Sequence, residues 1–202
     1  MPIKKDREYR SLATPLSVQE GDKLIESDHY VEGFATTFDQ PYVLWEDYDG
    51  NKYYEEISSD ALDDADMTDV IMQYDHSGRV FARQSNGTLA LQIIKEGESK
   101  GLKIGADLSR TDLAKGLHQD IDAGMINKMS WAFTVEEESY NAKTRTRKIL
   151  KIKKVYDVSA VSIPANDNTA ISARSYVIGR QEEAGQELLE CRKKQLILRA
   201  KL

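Results

Sequence analysis

A mainly β fold with helices, built as a curled sheet or a β-barrel, is the fold class that this sequence of 202 residues predicts. Short runs of strand-forming residues follow one another along most of the chain. Turn signals that contain glycine separate these runs, and a single internal stretch shows the apolar periodicity of a surface helix. Many short strands divided by tight turns are typical of curled antiparallel sheets and small barrels.

The predicted strands fill the middle of the chain. The turn at Asp49-Gly50-Asn51 separates two aromatic-rich runs and predicts a hairpin, while Ser77-Gly78 and Asn86-Gly87 predict two further turns. Gly33, inside the first run, indicates a bulge or a close backbone contact. The strands are expected within YVEGFATTF, QPYVLWEDYDGNKYYEEI, DVIMQYDHSGRVFARQSNGTLALQII, GLKIGADLS, KMSWAFTV and KILKIKKVYDVSAVSI. The stretch SSDALDDADM is expected to be a short helix or an irregular loop.

One internal segment, TDLAKGLHQDIDAG, predicts an α-helix. Leu113, Leu117 and Ile121 recur at four-residue intervals along it, and Gly124 stands where the glycine that follows a helix belongs. From Gln181 onward, acids come early and bases late, which is the order that suits a helix dipole. The sequence therefore also predicts a helical C-terminal tail.

Length and composition predict one folded domain with extensions. We expect a flexible lead-in over residues 1–20, a domain over 21–174 and the helical tail over 175–202. The single cysteine, Cys191, excludes an internal disulfide framework and is typical of a reducing compartment. Since the sequence shows neither an apolar signal-peptide core nor a bilayer-length apolar run, we expect a soluble intracellular protein without a membrane partner.

The charges are unevenly distributed along the chain. The net charge of −6 argues against general nucleic-acid binding. Residues 46–69 contain ten acids against Lys52 alone, and residues 143–154 contain seven bases and no acid. Two interpretations are open: separate solvated faces, or complementary patches that guide self-association or bind a basic partner segment.

A long antiparallel hairpin is expected from KMSWAFTV and the strand of KILKIKKVYDVSAVSI, with its turn near residues 142–144. In the first strand the large apolar residues alternate with smaller ones, so strand geometry sends Ser130 to the opposite face. Pairing about this turn places Glu136–Glu138 across from the basic run. The same pairing brings Ser130 close to Asp157.

A serine and a histidine are the candidates for chemistry. Dinucleotide, phosphate-loop and zinc motifs are missing, as is the GxSxG motif of α/β-hydrolases, so no cofactor or metal is expected. A serine becomes a nucleophile when an imidazole accepts its proton and a third group orients that imidazole. His76, at a strand end, is placed to reach Ser130, because His29 precedes the first strand and His118 lies in the helix. Each candidate also has a structural interpretation: a strand serine, a turn histidine and, for Asp157, a salt-bridge partner.

Several stretches, taken in order, resemble the prohead maturation serine proteases of tailed bacteriophages, which share a fold with herpesvirus assemblins. That family carries a histidine before a turn, a Gly-Thr-Leu strand, a helix that ends in glycine, a Met-Ser-aromatic strand, and an acid-Val-Ser strand followed by Pro-Ala-Asn. The resemblance covers roughly residues 30–170. The matching stretches are YVEGFATTFDQP, EEISSDAL, QYDHSGRVFARQSNGTLAL, KGLKIGADLSRTDLAKGLHQDIDAGMINKMSWAF and YDVSAVSIPAN.

The resemblance implies a role for each candidate residue. Ser130 would be the nucleophile, His76 the general base and Asp157 the residue that orients the imidazole. Two departures matter. Ala132 stands where a glycine is common, which could narrow the cleft, and Asp157 stands where many relatives have glutamate, which is one methylene longer.

The function that the resemblance implies is limited proteolysis inside an assembling procapsid in the host cytoplasm. The enzyme would remove scaffolding segments from the major capsid protein and cleave itself by acyl transfer. Backbone amides around 165–168 are the candidate oxyanion hole. We hypothesise that the tail mediates incorporation or scaffold contact and is then removed by self-cleavage. A homodimer is also open, because assemblins dimerise.

Three rival functions are open from the sequence. The chain could be a non-catalytic capsid scaffold or binding module with the same fold. It could be a different Ser–His hydrolase, such as an esterase. Nucleic-acid binding through the basic strand is disfavoured, because that strand has its own acidic partner strand, and no specific nucleic acid is expected.

Overall fold

The computed structural model describes residues 7–18, 23–162, 189 and 192–193. Within this part the chain is mainly β, as predicted, with ten strands and one α-helix of defined ends. The elements are β1 Glu8–Pro15, β2 Tyr30–Thr37, β3 Tyr42–Glu46, β4 Lys52–Ile57, β5 Ile71–Tyr74, β6 Ser77–Arg83, β7 Leu89–Ile94, β8 Gly101–Asp107, α1 Asp112–Asp122, β9 Lys128–Asn141 and β10 Thr146–Val161. The predicted tail over 175–202 lies outside the described residues, apart from positions 189, 192 and 193.

The strands form two open sheets, so the closed barrel that the sequence also allowed is not what the described strands build. The larger sheet has the order β1-β9-β10-β4-β3, and the hairpin of β5 and β6 joins it through β10. Strand β10 is long enough to have two neighbours along one edge. Strand β4 pairs with residues 146–149 and β5 with residues 157–160, both in parallel. The smaller sheet is antiparallel, in the order β2-β8-β7.

One apolar core includes buried residues from both sheets. The large side chains of β9 that the sequence places on one face, Met129, Trp131 and Phe133, all belong to it. Gly33 of β2 permits close packing here, because a Cβ at this position would lie 3.4 Å from the Met129 methyl group and from Leu16. The close contact predicted at Gly33 is therefore confirmed.

Helix α1 begins and ends as the sequence predicts. The Thr111 side chain caps it by accepting a hydrogen bond from the Ala114 amide, and Gly124 follows it with a φ of 72°. Leu113 is 52% exposed, which corrects the predicted apolar stripe. Leu117 and Ile121 are buried as predicted, and Ala114 takes the place of Leu113 in the buried stripe. No helix in the described part of the chain is long and apolar enough to cross a membrane.

Strand β1 lies within the predicted flexible lead-in over residues 1–20 and corrects that prediction for Glu8–Pro15. Residues Glu8–Pro15 pair antiparallel with β9, with Ser11 opposite Ser130. Alternation sends Tyr9 and Arg10 to opposite faces, and Arg10 is buried. The alternating pattern of EYRSLA could have predicted this strand, but the charged residues around it favoured the prediction of a flexible segment.

The acidic and basic runs pair with each other inside the molecule, because β4 and the loop before β5 run beside β10. Lys148 binds Glu56 at 2.6 Å, and Lys154 binds Asp66 at 2.5 Å. Buried Arg147 contacts Glu55 at 2.9 Å. Much of the charge of each run is therefore neutralised within one chain. The two runs are not simply separate solvated faces.

Candidate active site

The β9–β10 hairpin carries two of the three predicted residues on one face. Its turn lies at 142–145, and near that turn Asn141 faces Thr146, as the predicted register requires. Irregularities between Ile149 and Asp157 then shift the pairing, so that Ser130 faces Ser159 rather than Asp157. The shift is two residues, and an even shift keeps each side chain on its own face. Ser130 and Asp157 are thus diagonal neighbours.

His76 lies in the two-residue turn between β5 and β6. Tyr74 pairs with Ser77, and Asp75 and His76 between them have φ values of 48° and 54°. Positive φ at both positions is the pattern of a type I′ turn, whose twist matches that of a hairpin. The prediction of a turn at Ser77-Gly78 is therefore wrong by two residues, since these residues begin β6. The turn was predicted too late in the chain because Gly78 is the residue most typical of a turn, although Asp and His also tolerate positive φ.

The end of β10 holds this turn in place. The Asp75 carboxylate accepts hydrogen bonds from the Ser162 amide at 3.0 Å and from the Ser162 hydroxyl at 2.9 Å. The Asp75 amide donates to the carbonyl oxygen of Ala160 at 3.0 Å. The backbone that carries His76 is therefore tied to the same strand that carries Asp157.

The three predicted residues form a continuous chain of hydrogen-bonding contacts. His76 Nδ1 lies 2.5 Å from Asp157 Oδ1, and His76 Nε2 lies 2.6 Å from Ser130 Oγ. Ser130 is fully buried, and the side chains of His76 and Asp157 are only 7% and 5% exposed. A buried ring that contacts a carboxylate and a hydroxyl has both nitrogens satisfied.

The partners determine which nitrogen of His76 carries the proton. An ionised carboxylate only accepts hydrogen bonds, so Asp157 selects the tautomer with hydrogen on Nδ1. Nε2 is then left with a lone pair that accepts a hydrogen bond from the Ser130 hydroxyl. This is the arrangement in which an imidazole can remove a proton from a serine.

Two further side chains, which the sequence did not single out, complete this face. The Ser159 hydroxyl donates to Asp157 Oδ1 at 2.7 Å. The Tyr9 ring contacts the His76 ring edge-on, with 4.7 Å between centroids and 70° between planes. Ala132, opposite both Tyr9 and Asp157, is fully buried. The two-residue spacing of Asp157 and Ser159 could have indicated their contact, but Tyr9 required the pairing of β1.

The remaining candidates lie elsewhere or outside the described residues. His29 and His118 pack edge-on against each other, with 5.1 Å between ring centroids. Burial and the neighbouring His29 lower the pKa of His118. The amides expected to form an oxyanion hole, around 165–168, are outside the described residues. The described ranges hold no group of three or more His, Cys, Asp or Glu residues placed to bind a metal ion.

Comparison with known families identifies the class of protein. A family model described as the caudovirus prohead serine protease matches residues 15–183, which is most of the chain. No curated protein and no solved structure matches this chain. The fold shared with herpesvirus assemblins therefore stays a prediction, as do the catalytic roles of the three residues.

Proposed function

The chain belongs to the caudovirus prohead serine protease family, and we propose that its nucleophile is Ser130, activated by His76 and Asp157. The observation that carries this proposal is the continuous contact from Asp157 through His76 to Ser130, at 2.5 and 2.6 Å. These groups come from three adjacent parts of one sheet, namely β10, the β5–β6 turn and β9. Such a rigid support is what a pre-organised site needs.

Acylation follows from the tautomer of His76. Ser130 Oγ attacks the carbonyl carbon of the scissile peptide bond while its proton passes to Nε2, and a tetrahedral oxyanion forms. When this intermediate collapses, the C–N bond breaks and Nε2 gives its proton to the leaving amine. The carboxyl-side fragment departs, and an ester joins the other fragment to Ser130.

Deacylation uses the same imidazole. Nε2 takes a proton from water, and the hydroxide attacks the ester carbonyl. The C–Oγ bond then breaks, and Ser130 Oγ recovers the proton. Throughout, Asp157 keeps Nδ1–H in place and stabilises the imidazolium that forms twice in each cycle.

Burial of Ser130 bears on how the enzyme is controlled. A hydroxyl with no exposed surface meets a peptide carbonyl only after neighbouring groups move. A protease that acts inside an assembling capsid benefits from such a closed resting site. We therefore propose that assembly opens the site, with the amides around 165–168 as the oxyanion donors.

The substrates follow from the family description rather than from the geometry. A prohead protease acts on phage capsid proteins within the procapsid in the host cell. We propose that this chain removes scaffolding segments from the major capsid protein. We further propose a protease domain over residues 21–174, to which β1 contributes a strand, and self-cleavage that releases the tail over 175–202.

Co-expression with the capsid protein of the same phage tests these proposals. The wild type, Ser130→Ala and Ser139→Ala are compared by intact mass spectrometry of every product. Ser139 provides the matched control, because it lies on the same strand but is exposed and near the far turn. We expect fragments of both proteins with the wild type and with Ser139→Ala, and intact chains with Ser130→Ala.

The same experiment separates the rival functions. Assembly of particles with uncut subunits in both the wild type and Ser130→Ala would support a non-catalytic scaffold and contradict the proposal. Turnover of small esters by the wild type, without any cut in either protein, would instead indicate a different hydrolase.

A further inference from the structure

A second serine, Ser159, lies beside the proposed catalytic groups. Ser159 and Asp157 are two residues apart on β10, so their side chains project from the same face. The Ser159 hydroxyl donates to Asp157 Oδ1 at 2.7 Å, and the same oxygen lies 2.5 Å from His76 Nδ1. Ser159 is fully buried. The carboxylate oxygen that contacts His76 therefore has a second donor within the protein.

We infer that Ser159 is a positioning residue, which holds the Asp157 carboxylate in the orientation that binds His76 Nδ1. This inference rests on the proposed roles of Asp157 and His76. The χ2 torsion of an aspartate has a broad distribution, so a single hydrogen bond still allows the carboxylate to rotate about the Cβ–Cγ bond. A second donor on the same oxygen restricts that rotation and fixes the direction of the acceptor toward the ring.

The partner of the Ser159 hydroxyl distinguishes this role from ordinary strand packing. Most side-chain hydrogen bonds in proteins go to backbone groups or water, whereas this one goes to the carboxylate of the proposed site. Ser159 also lies directly opposite Ser130 across the β9–β10 ladder. The hydroxyl thus lies on the same face as the nucleophile, and His76 joins Asp157 to Ser130 through its two ring nitrogens.

Nuclear magnetic resonance of His76 tests the inference without relying on activity. The protein contains only three histidines, so ¹⁵N-histidine labelling with His76→Gln identifies the Nδ1–H signal. We expect Ser159→Ala to broaden this signal through faster exchange and Ser159→Thr to restore it. The control is Thr36→Ala, which removes another fully buried hydroxyl, in the smaller sheet. It should leave the signal unchanged.

Cleavage rate gives the second measurement, in the co-expression system with the capsid protein. Loss of one hydrogen bond of ordinary strength predicts about a tenfold fall for Ser159→Ala. Ser159→Thr keeps the hydroxyl and should recover most of the rate. In an Asp157→Asn background, Ser159→Ala should have little further effect, because residues that act through one another are not additive.

The outcomes separate this inference from the proposed function. If Asp157→Asn strongly slows cleavage while Ser159→Ala matches the wild type in both the His76 signal and the rate, Ser159 has no positioning role. A loss of rate in Ser159→Ala that Ser159→Thr does not restore, with an unchanged His76 signal, also overturns it. If Asp157→Asn cleaves as the wild type does, the proposed role of Asp157 itself is wrong.

Discussion

His76 shows, at the scale of single residues, how local geometry prepares a site. Its backbone and that of Asp75 adopt positive φ, a conformation that costs a non-glycine residue about 1 kcal/mol or more. The two hydrogen bonds from Ser162 to the Asp75 carboxylate offset that cost. The turn is therefore held in a conformation that directs the imidazole toward Ser130.

Substitution of Asp75 separates backbone strain from the contact with Ser162. Asp75→Ala loses both hydrogen bonds and keeps a strained φ, so we expect unfolding to require about 2 kcal/mol less free energy. Asp75→Gly loses the same bonds but relieves the strain, and should lose about 1 kcal/mol less than Asp75→Ala. Urea denaturation measures both. Equal stability of both variants and the wild type would show that the turn does not depend on this contact.

Strand β1 is the element that links the core to the site. Tyr9 contacts the His76 ring on one face of the strand, and Arg10 on the other face binds Glu55 at 2.5 Å. Both side chains of that ion pair are buried. Because this ion pair anchors strand β1, the strand holds the Tyr9 ring in a fixed position against the imidazole.

Tyr9 variants test whether this ring contact matters for turnover. An edge-on aromatic pair contributes about 0.5–1.5 kcal/mol, so Tyr9→Leu should slow cleavage by roughly three- to tenfold. Tyr9→Phe keeps the ring contact and should stay closer to the wild-type rate. Cleavage of the co-expressed capsid protein, followed over time, gives the rates. Tyr9→Leu at the wild-type rate would mean that β1 supports the fold alone.

The elements also show what the sequence could predict and what it could not. Periodicity in the sequence predicted the hairpin and helix α1. It also predicted that Ser130 and Asp157 share a face, and this held because the bulges shift the register by an even number of residues in total. The register at the site was missed, because bulges have no sequence signal of their own here. Strand β1 was missed since its partner, β9, lies more than a hundred residues away. The contact of Tyr9 with His76 was therefore invisible as well.

At the scale of the whole molecule, a buried cluster of charges joins distant parts of the chain. Arg10 and Arg147 both bind the carboxylates of Glu8 and Glu55, Arg147 also binds Glu138, and Tyr42 donates to Glu55. Removal of one partner of a buried ion pair strongly destabilises the fold, because the other charge is left buried without a partner. The carboxylates of the cluster are Glu8, Glu55 and Glu138.

The pH dependence of stability tests this cluster through Glu8. Burial alone would raise the pKa of Glu8, but the hydrogen bond and charge of Arg147 and the charge of Arg10 lower it from 4.5 to about 2. A lowered pKa stabilises the fold above pH 4.5, and this contribution is lost as the pH falls toward about 2. Glu8→Gln should therefore be about 1–3 kcal/mol less stable than the wild type at pH 7.

The difference between Glu8→Gln and the wild type should shrink progressively below pH 4.5, as measured by denaturant unfolding across that range. The exposed Glu136 on the same sheet supplies the control, since Glu136→Gln should change stability little at any pH. A difference for Glu8→Gln that stays constant down to pH 2 would contradict the account of the cluster.

The central claim, that Ser130 is the nucleophile, is tested most directly by mapping the residue that a small fluorophosphonate modifies. The serine oxygen displaces fluoride from phosphorus, so the adduct stays on the attacking residue. Protein co-assembled with its capsid subunit is treated, digested and analysed by tandem mass spectrometry, beside His76→Ala. We predict one adduct, on Ser130, that is absent from His76→Ala. An adduct on Ser11 or Ser159, which flank Ser130 on the neighbouring strands, or one that persists in His76→Ala, would contradict the account.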